Sequence, residues 1–473
     1  MSVISSKPFR IHVERMAKPV PGMILVVCLT MAATLQYSAS RAGMLYRCVS
    51  ASGQVTLSDR RVPDLKCEAA LSFPDNQSPQ HQQEQPSPLD LAVESLYDAT
   101  SSAVTISEPV AASNTGMVDF GDPRASVVLE KLKTGKPDGF RYIQLGDSHT
   151  AGNFITDTIR RRLQPSLGFG GLGWLPAASV RGQRMPATIQ QHGPWKINSS
   201  RKVQLEDYFP FGGVVAEVAA PSASLTVGAH EGNPLQQVSV WIRQAEGASA
   251  LLMRDSEGRS QALQVPADGR WHLANFVARL PVTVTTSSAH ETAIGGWWMQ
   301  SPHGGGATVS AAGINGATLA QTGRWRNGWL SDLQASRPDI VALAFGTNES
   351  TNEKLDVAQA HATLVNTISA IRNIAPQAAI LIIGAPDTLV NHAGACGTRT
   401  PNLDAIQQVQ RRVASQMRTL YFDWQQAMGG NCSMKRWMQE GLARSDGVHF
   451  SAEGYSRTGN AIFDGLRDLG ERR

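Results

Sequence analysis

The sequence predicts an α/β protein: a doubly wound parallel sheet with helices on both faces, interrupted by an inserted β-sandwich domain. Three observations lead there. On both sides of the chain's middle, apolar runs of strand length alternate with amphipathic helical stretches. Between residues 185 and 295 that alternation gives way to short β-rich runs separated by turn residues. Finally, three short cassettes rich in reactive side chains lie far apart, and the first two directly follow strand-like runs. They are Gly146-Asp147-Ser148-His149, Gly346-Thr347-Asn348-Glu349 and Asp446-Gly447-Val448-His449. A parallel sheet would carry the strand ends to one edge.

Taken in order, residues 1–40 read as a secretory signal. Lys7, Arg10, Arg15 and Lys18 precede an apolar run from Met23 to Ala33, and Ser38-Ala39-Ser40 follows it. The competing reading is an uncleaved inner-membrane anchor, for which the run is short. Loss of this segment removes four basic residues and Glu14, taking the net charge from +4 to +1. With no basic stripe interleaved with aromatics, nucleic acid is not an expected partner. Residues 44–68 read as a small Cys-stapled β module, in which Leu45–Val49 and Val55–Leu57 form a hairpin about Ser52-Gly53. Residues 70–115 are rich in Gln, Ser and Pro, too poor in apolar area to offset ordering, and read as a flexible linker.

The catalytic region is expected in two parts, 116–184 and 296–473. In the first, Arg124–Leu132 reads as a helix and Arg141–Leu145 as a strand running into Gly146, with a further helix from Asn153 to Leu163. In the second, the run Asp339–Phe345 reads as a central parallel strand delivering Gly346. Leu355–Ile374 and Leu403–Arg418 read as helices, and Ala379–Ile383 and Leu420–Phe422 as strands. The insertion at 185–295 shows strand-like runs at Val214–Ala219, Ser222–Val227, Val238–Arg243, Ala250–Arg254 and Val282–Thr286. Trp195, Trp241, Trp271, Trp297 and Trp298 fall in or beside it. Core packing is the ordinary fate of such rings, and a platform for sugar faces is the alternative.

Cys48, Cys67, Cys396 and Cys432 remain after export, Cys28 lying inside the apolar leader. An even count in an oxidising compartment points to pairs, and chain proximity to Cys48–Cys67 and Cys396–Cys432. Zinc is the competing use, but there is no Cys-x-x-Cys and no His pair at ligand spacing. Neither a metal nor an organic cofactor is expected.

The cassettes together supply the parts for acyl transfer through a serine. Ser148 is the candidate nucleophile. His449 is the candidate general base and Asp446 the carboxylate that fixes its tautomer; a solvated loop is the bland reading of Asp-x-x-His. Asn348 is the candidate side-chain donor to the oxyanion, against an Asx-turn or helix cap. The backbone amides of Ser148 and Gly316 complete the expected oxyanion hole, with Gly313 as the competitor within Gly313-Ile314-Asn315-Gly316. His149 is given no chemical role.

These blocks resemble the four of the SGNH (GDSL) hydrolase superfamily across roughly 118–470, which implies the SGNH-type sheet. Gly146–Gly152, Gly170–Pro176 and Gly182–Met185, with Trp424–Gly430 and Cys432–Met434, resemble the Gram-negative peptidoglycan O-acetylesterases. That resemblance implies a carbohydrate-module-like β-sandwich between the first two blocks. It also implies a periplasmic enzyme acting on O-acetylated peptidoglycan glycan strands, removing acetyl from the 6-hydroxyl of N-acetylmuramic acid. Residues 44–68 are similar to a small module of proteobacterial envelope proteins, which would serve as a wall or envelope tether. Two other readings stay open: an O-acetyltransferase using the same acetyl-serine on peptidoglycan or another envelope polysaccharide, and a noncatalytic wall-binding protein.

Overall fold

The computed structural model describes residues 43–49, 55–58, 66–73, 115–135, 138–203, 209–218, 222–287, 291–325 and 328–472. The chain divides into two compact units, Met1–Ile106 and Ser107–Arg473. The first holds a three-stranded antiparallel sheet in which Gly43–Val49 lies between Val55–Ser58 and Lys66–Phe73. Its register sets Cys48 opposite Cys67. The sheet has one strand more than the expected hairpin. Its last strand passes residue 68 and runs to Phe73, into the stretch read as linker. The expected signal segment, and the rest of the expected linker up to residue 114, lie outside the described residues. No helix among the described residues is long and apolar enough to cross a membrane.

The second unit is built on a six-stranded sheet. Its strands are β1 (Met117–Asp119), β2 (Phe140–Gly146), β3 (Ala307–Gly313), β4 (Ile340–Ala344), β5 (Ala379–Ile383) and β6 (Leu420–Phe422). The order is β3-β2-β4-β5-β6-β1. The first five are parallel, whereas β1 joins β6 antiparallel, so the sheet is mixed rather than purely parallel. A three-residue edge strand has too little length to show a period in sequence.

Side chains alternate across this sheet. Tyr142, Ile340, Ala342, Leu381 and Phe422 pack to one side with α1 (Ala125–Thr134), α2 (Phe154–Leu167) and α6 (Ala452–Glu471). Ile143, Val341, Leu343, Ile382 and Tyr421 pack to the other with α3 (Gly328–Ser336), α4 (Val357–Ile374) and α5 (Leu403–Gln416). Burial on both faces is why β4 and β5 read as unbroken apolar runs.

Between β2 and β3 lie two antiparallel sheets. One has five strands, from Ala187–His192 at one edge to Ser260–Leu263 at the other. The second centres on Leu235–Gln244 and Thr292–Gln300. Val227, Met253 and Val284 of the first share one hydrophobic cluster with Val240, Phe276 and Trp297 of the second. Thr292–Gln300 crosses the limit expected at residue 295, and Gly173–Leu175, ahead of the expected start at 185, pairs with it. Eight of the nine residues of Thr292–Gln300 are buried, so the strand lacks the polar-apolar alternation that would have marked it. Trp271, Trp297 and Trp298 are buried, with Trp298 set against Trp174 and Phe211. Trp195 is half-buried and donates from its indole to the carbonyls of His192 and Ser224. These rings serve packing.

Candidate active site

The sheet brings the chemistry-bearing blocks together at one edge. After β2 the chain places β3 on one side of it and β4 on the other, so β2 is the topological switch point, where such sheets open a crevice at their carboxyl ends. Register levels the three ends: Gly146 lies opposite Gly313 in one neighbour and Ala344 in the other. Ser148, Gly316 and Asn348 each follow within a few residues of those ends.

Ser148 opens a single helical turn, Ser148–Ala151, that precedes α2. Asp147 caps that turn, its Oδ1 accepting the His149 amide at 2.9 Å. His449 arrives from the loop ahead of α6, and its Nε2 is 2.9 Å from Ser148 Oγ. On the other side of the ring, Nδ1 is 2.9 Å from Asp446 Oδ2. The same carboxylate, through Oδ1, accepts the backbone amides of Val448 at 2.9 Å and His449 at 2.8 Å. Partial burial works against its charge. The His449 ring and these two amides outweigh that and hold the Asp446 carboxyl well below the usual carboxylate range.

Asn348 sits in the turn after β4, its Nδ2 donating to Ala317 O at 2.8 Å, with Asp147 Oδ2 a longer 3.5 Å away. The neighbouring Glu349 braces this turn, accepting Gly346 N at 3.0 Å and Leu319 N at 2.7 Å. The two candidate glycines separate by their surroundings. A Cβ on Gly313 would stand 2.2 Å from Ala151 N, so this glycine lets β3 pack under the Ser148–Ala151 turn. Gly316 has a left-handed φ of 73° and borders the cavity over Ser148, where the Arg201 guanidinium covers its α-carbon.

His149 is buried beneath the site, with Nδ1 3.0 Å from the Tyr455 hydroxyl and its ring 5.5 Å from that of His449. Burial, reinforced by His449 and opposed by Asp446, pushes its pKa down to about 3, so it is neutral. Asp147 and Tyr455 are contributors that sequence reasoning missed. Asp147 lay inside a quoted block, but nothing in the sequence shows that it is buried. Tyr455, in α6, bore no local signal.

The cavity over Ser148 has a volume of about 620 Å3 and is bordered by Gly316, Asn348, His449 and Tyr455. A second, more apolar cavity of about 300 Å3 lies between β4 and helices α4 and α5, and no residue of the Ser148–His449–Asp446 constellation lines it. Among the described residues, no group of three or more His, Cys, Asp or Glu side chains could hold a metal ion. Cys396 and Cys432 form a disulfide. Chemically, the arrangement is a hydroxyl under a base and the base paired to an ionised carboxylate, with Gly316 and Asn348 bordering the same cavity.

The model of the peptidoglycan O-acetylesterase N-terminal family matches residues 170–283, and that of the GDSL-like lipase/acylhydrolase family matches residues 284–457. Ser148 precedes both spans. Comparison with curated proteins finds no match. Among solved structures, a peptidoglycan O-acetylesterase is 40% identical with a TM-score of 0.68, covering 76% of this chain and 99% of its own. A family two carbohydrate esterase from Cellvibrio japonicus is 12% identical, covering 63% of this chain and 98% of its own, with a TM-score of 0.25. That second likeness carries no argument. Identity at the level of the first, along nearly the whole relative, is decisive: the chain belongs to the peptidoglycan O-acetylesterase family of GDSL-like acylhydrolases.

Proposed function

We propose that this protein is a serine esterase that removes O-acetyl groups from N-acetylmuramic acid of peptidoglycan through an acetyl-serine intermediate. The observation that carries the reading is the chain of contacts from Ser148 Oγ to His449 Nε2, at 2.9 Å, and from His449 Nδ1 to Asp446 Oδ2, at 2.9 Å. With Nδ1 donating to Asp446, the lone pair on Nε2 faces the serine hydroxyl and takes its proton as Oγ attacks the acetyl carbonyl carbon. The carbonyl π pair moves to oxygen. The resulting oxyanion accepts hydrogen bonds from the amides of Ser148 and Gly316 and from the Asn348 Nδ2 hydrogen not committed to Ala317 O. Collapse breaks the bond to the sugar oxygen, which leaves with the proton from His449. Water, deprotonated by the same imidazole, then releases acetate and restores Ser148.

The 40% identical relative is a peptidoglycan O-acetylesterase, which supports the choice of substrate. The two antiparallel sheets with their shared core support reading the region between β2 and β3 as an inserted, carbohydrate-module-like β-sandwich. The leader-like residues 1–40 and the substrate together support a periplasmic enzyme, with the module at 44–68 as a wall or envelope tether.

The test is acetate release from p-nitrophenyl acetate and from O-acetylated peptidoglycan by wild type and Ser148→Ala, alongside acetyl gain by the glycan. Loss of release by more than a thousand-fold in the variant is expected. Retention of most activity would refute the assignment, and net acetyl gain by the glycan would move it to a transferase.

A further inference from the structure

The cavity over Ser148 carries a charge pattern that acyl transfer itself does not use. Arg184, Arg201 and Arg444 line it, and among the described residues no carboxylate side chain does. All three arginines are exposed, and none is ion-paired with a carboxylate among the described residues. Two are instead set in place by neutral partners. The Arg201 Nε donates to Gly316 O at 3.3 Å, and the Arg184 guanidinium lies 4.3 Å from the centre of the Phe154 ring. Three like charges around one opening repel each other, so a rim of this kind favours an anion entering between them. The planar, permanently charged guanidinium fork matches a carboxylate in particular. The rim is also shared between the two matched regions. Arg184 and Arg201 fall in residues 170–283, and Arg444 falls in residues 284–457.

We infer that Arg184, Arg201 and Arg444 bind a carboxylate of the substrate, so that the enzyme selects O-acetylated glycan bearing a carboxylate close to the ester. This rests on the esterase reading above and names what that site prefers. An N-acetylmuramic residue offers the carboxylate from two sources: its own lactyl group where the peptide is absent, or the peptide stem where it is present. The arginines act on binding. Their removal therefore raises KM for an anionic glycan and leaves the attack of Ser148 on a bound ester little changed.

The experiment compares the full chain with Arg184→Gln, Arg201→Gln, Arg444→Gln, the triple glutamine variant and the triple lysine variant. Substrates are neutral 6-O-acetylated chito-oligosaccharide, O-acetylated muramyl strands stripped of peptide, and the same strands with stems intact. The expected result is a fall in the anionic-to-neutral ratio of kcat/KM of about three-fold per arginine, and on the order of 30-fold for the triple glutamine variant. The lysine variant, which keeps the charge, should recover much of the ratio, and 0.5 M salt should lower it in wild type to about the glutamine level. Whichever of the two muramyl substrates shows the larger effect identifies the carboxylate. A ratio unchanged by glutamine, or an equal fall on neutral and anionic glycans, overturns the inference while leaving the esterase reading intact. Wild type that cleaves p-nitrophenyl acetate but releases acetate from no glycan overturns the substrate reading, and this inference with it.

Discussion

Opening the Cys396–Cys432 bond should weaken the fold and slow the chemistry together. The bridge spans 36 residues of chain, and that loop contains α5 and β6. In the chain-entropy account such a closure contributes about 4 kcal/mol. Spread over a cooperative unit of some 360 residues, at about 2.1 cal/mol/K per residue, this corresponds to a fall in Tm of about 5 °C. The catalytic consequence follows from what the bridge holds. The strand Leu389–Asn391, just ahead of Cys396, supports the Asp446–His449 loop: Leu389 N donates to Gly447 O at 2.8 Å. The His392 ring fills the space where a Gly447 side chain would stand, and Lys435, in the helix that follows Cys432, donates to His392 O. A displacement on the order of 1 Å in a catalytic group can cost about 100-fold in rate. A loop that keeps its own internal bonds should lose less, about ten-fold. The assay is Tm and kcat/KM on p-nitrophenyl acetate for wild type, the Cys396→Ala/Cys432→Ala variant, and wild type reduced until thiol labelling shows Cys396 and Cys432 both free. Unchanged Tm and unchanged kcat/KM in the verified dithiol would refute the reasoning.

Asn348→Ala should lower kcat by about 100- to 1000-fold with little effect on KM, because in the proposed mechanism its second Nδ2 hydrogen, the one not given to Ala317 O, is engaged only as charge develops on the acyl oxygen; a change confined to KM would point to ground-state binding instead. Asp446→Asn should lower kcat by about four orders of magnitude through the wrong imidazole tautomer, and a Tm within a few degrees of wild type would show that the loop survives. Asp147 is fully buried, and burial, opposed by the His149 amide bond and reinforced by Glu349, lifts its carboxyl to about 8. Its stabilising contribution is therefore complete below the ordinary carboxyl value of about 4 and declines as pH rises from there through about 8, since the unfolded chain ionises first. Asp147→Asn should flatten that part of a Tm-against-pH curve between pH 5 and pH 8; curves that stay parallel would show that Asp147 does not titrate in this window.

The elements legible in the sequence were those whose burial leaves a periodic or continuous trace. Ala379–Ile383 and Leu420–Phe422 form strands with the bounds read from their apolar runs. The helix expected from Leu355 starts at Val357, because Asp356 turns its side chain to the Gln359 amide at 2.9 Å and caps the helix there. Trp271–Arg279 and Thr292–Gln300 escaped for opposite reasons: the first mixes polar residues irregularly, and the second is apolar on both faces. At the candidate site, the meeting of Ser148, Asn348 and His449 around one cavity was legible because a reactive residue directly after a strand, or in a short acid-imidazole loop, has few structural uses. What the chain order could not reveal was the switch of β3 and β4 to opposite sides of β2, which sets Gly316 and Asn348 on either side of Ser148. Nor could it reveal Arg201, which reaches the cavity from the loop after Lys196–Ser199.

Three carboxyl groups crowd this site, and their surroundings decide which one carries charge. Asp147 lies in the turn that carries Ser148, fully buried, with the His149 amide at 2.9 Å and the Thr347 side chain as its main compensation. Glu349 has two backbone amides, yet withdrawal from water still raises its carboxyl. Asp446 is the most exposed of the three and accepts two amides and an imidazole, so it alone is driven strongly toward the ionised form. A charged Asp147 at neutral pH would set an anion beside Asn348 and oppose the oxyanion that this amide stabilises in the proposed mechanism. With its carboxyl lifted to about 8, Asp147 stays protonated at neutral pH and fixes backbone geometry as a hydrogen-bonding group, while Asp446 supplies the negative charge that balances the imidazolium. The division of labour among like residues thus comes from depth and hydrogen bonding, the same means by which one protein can hold an acid and its conjugate base at a single pH.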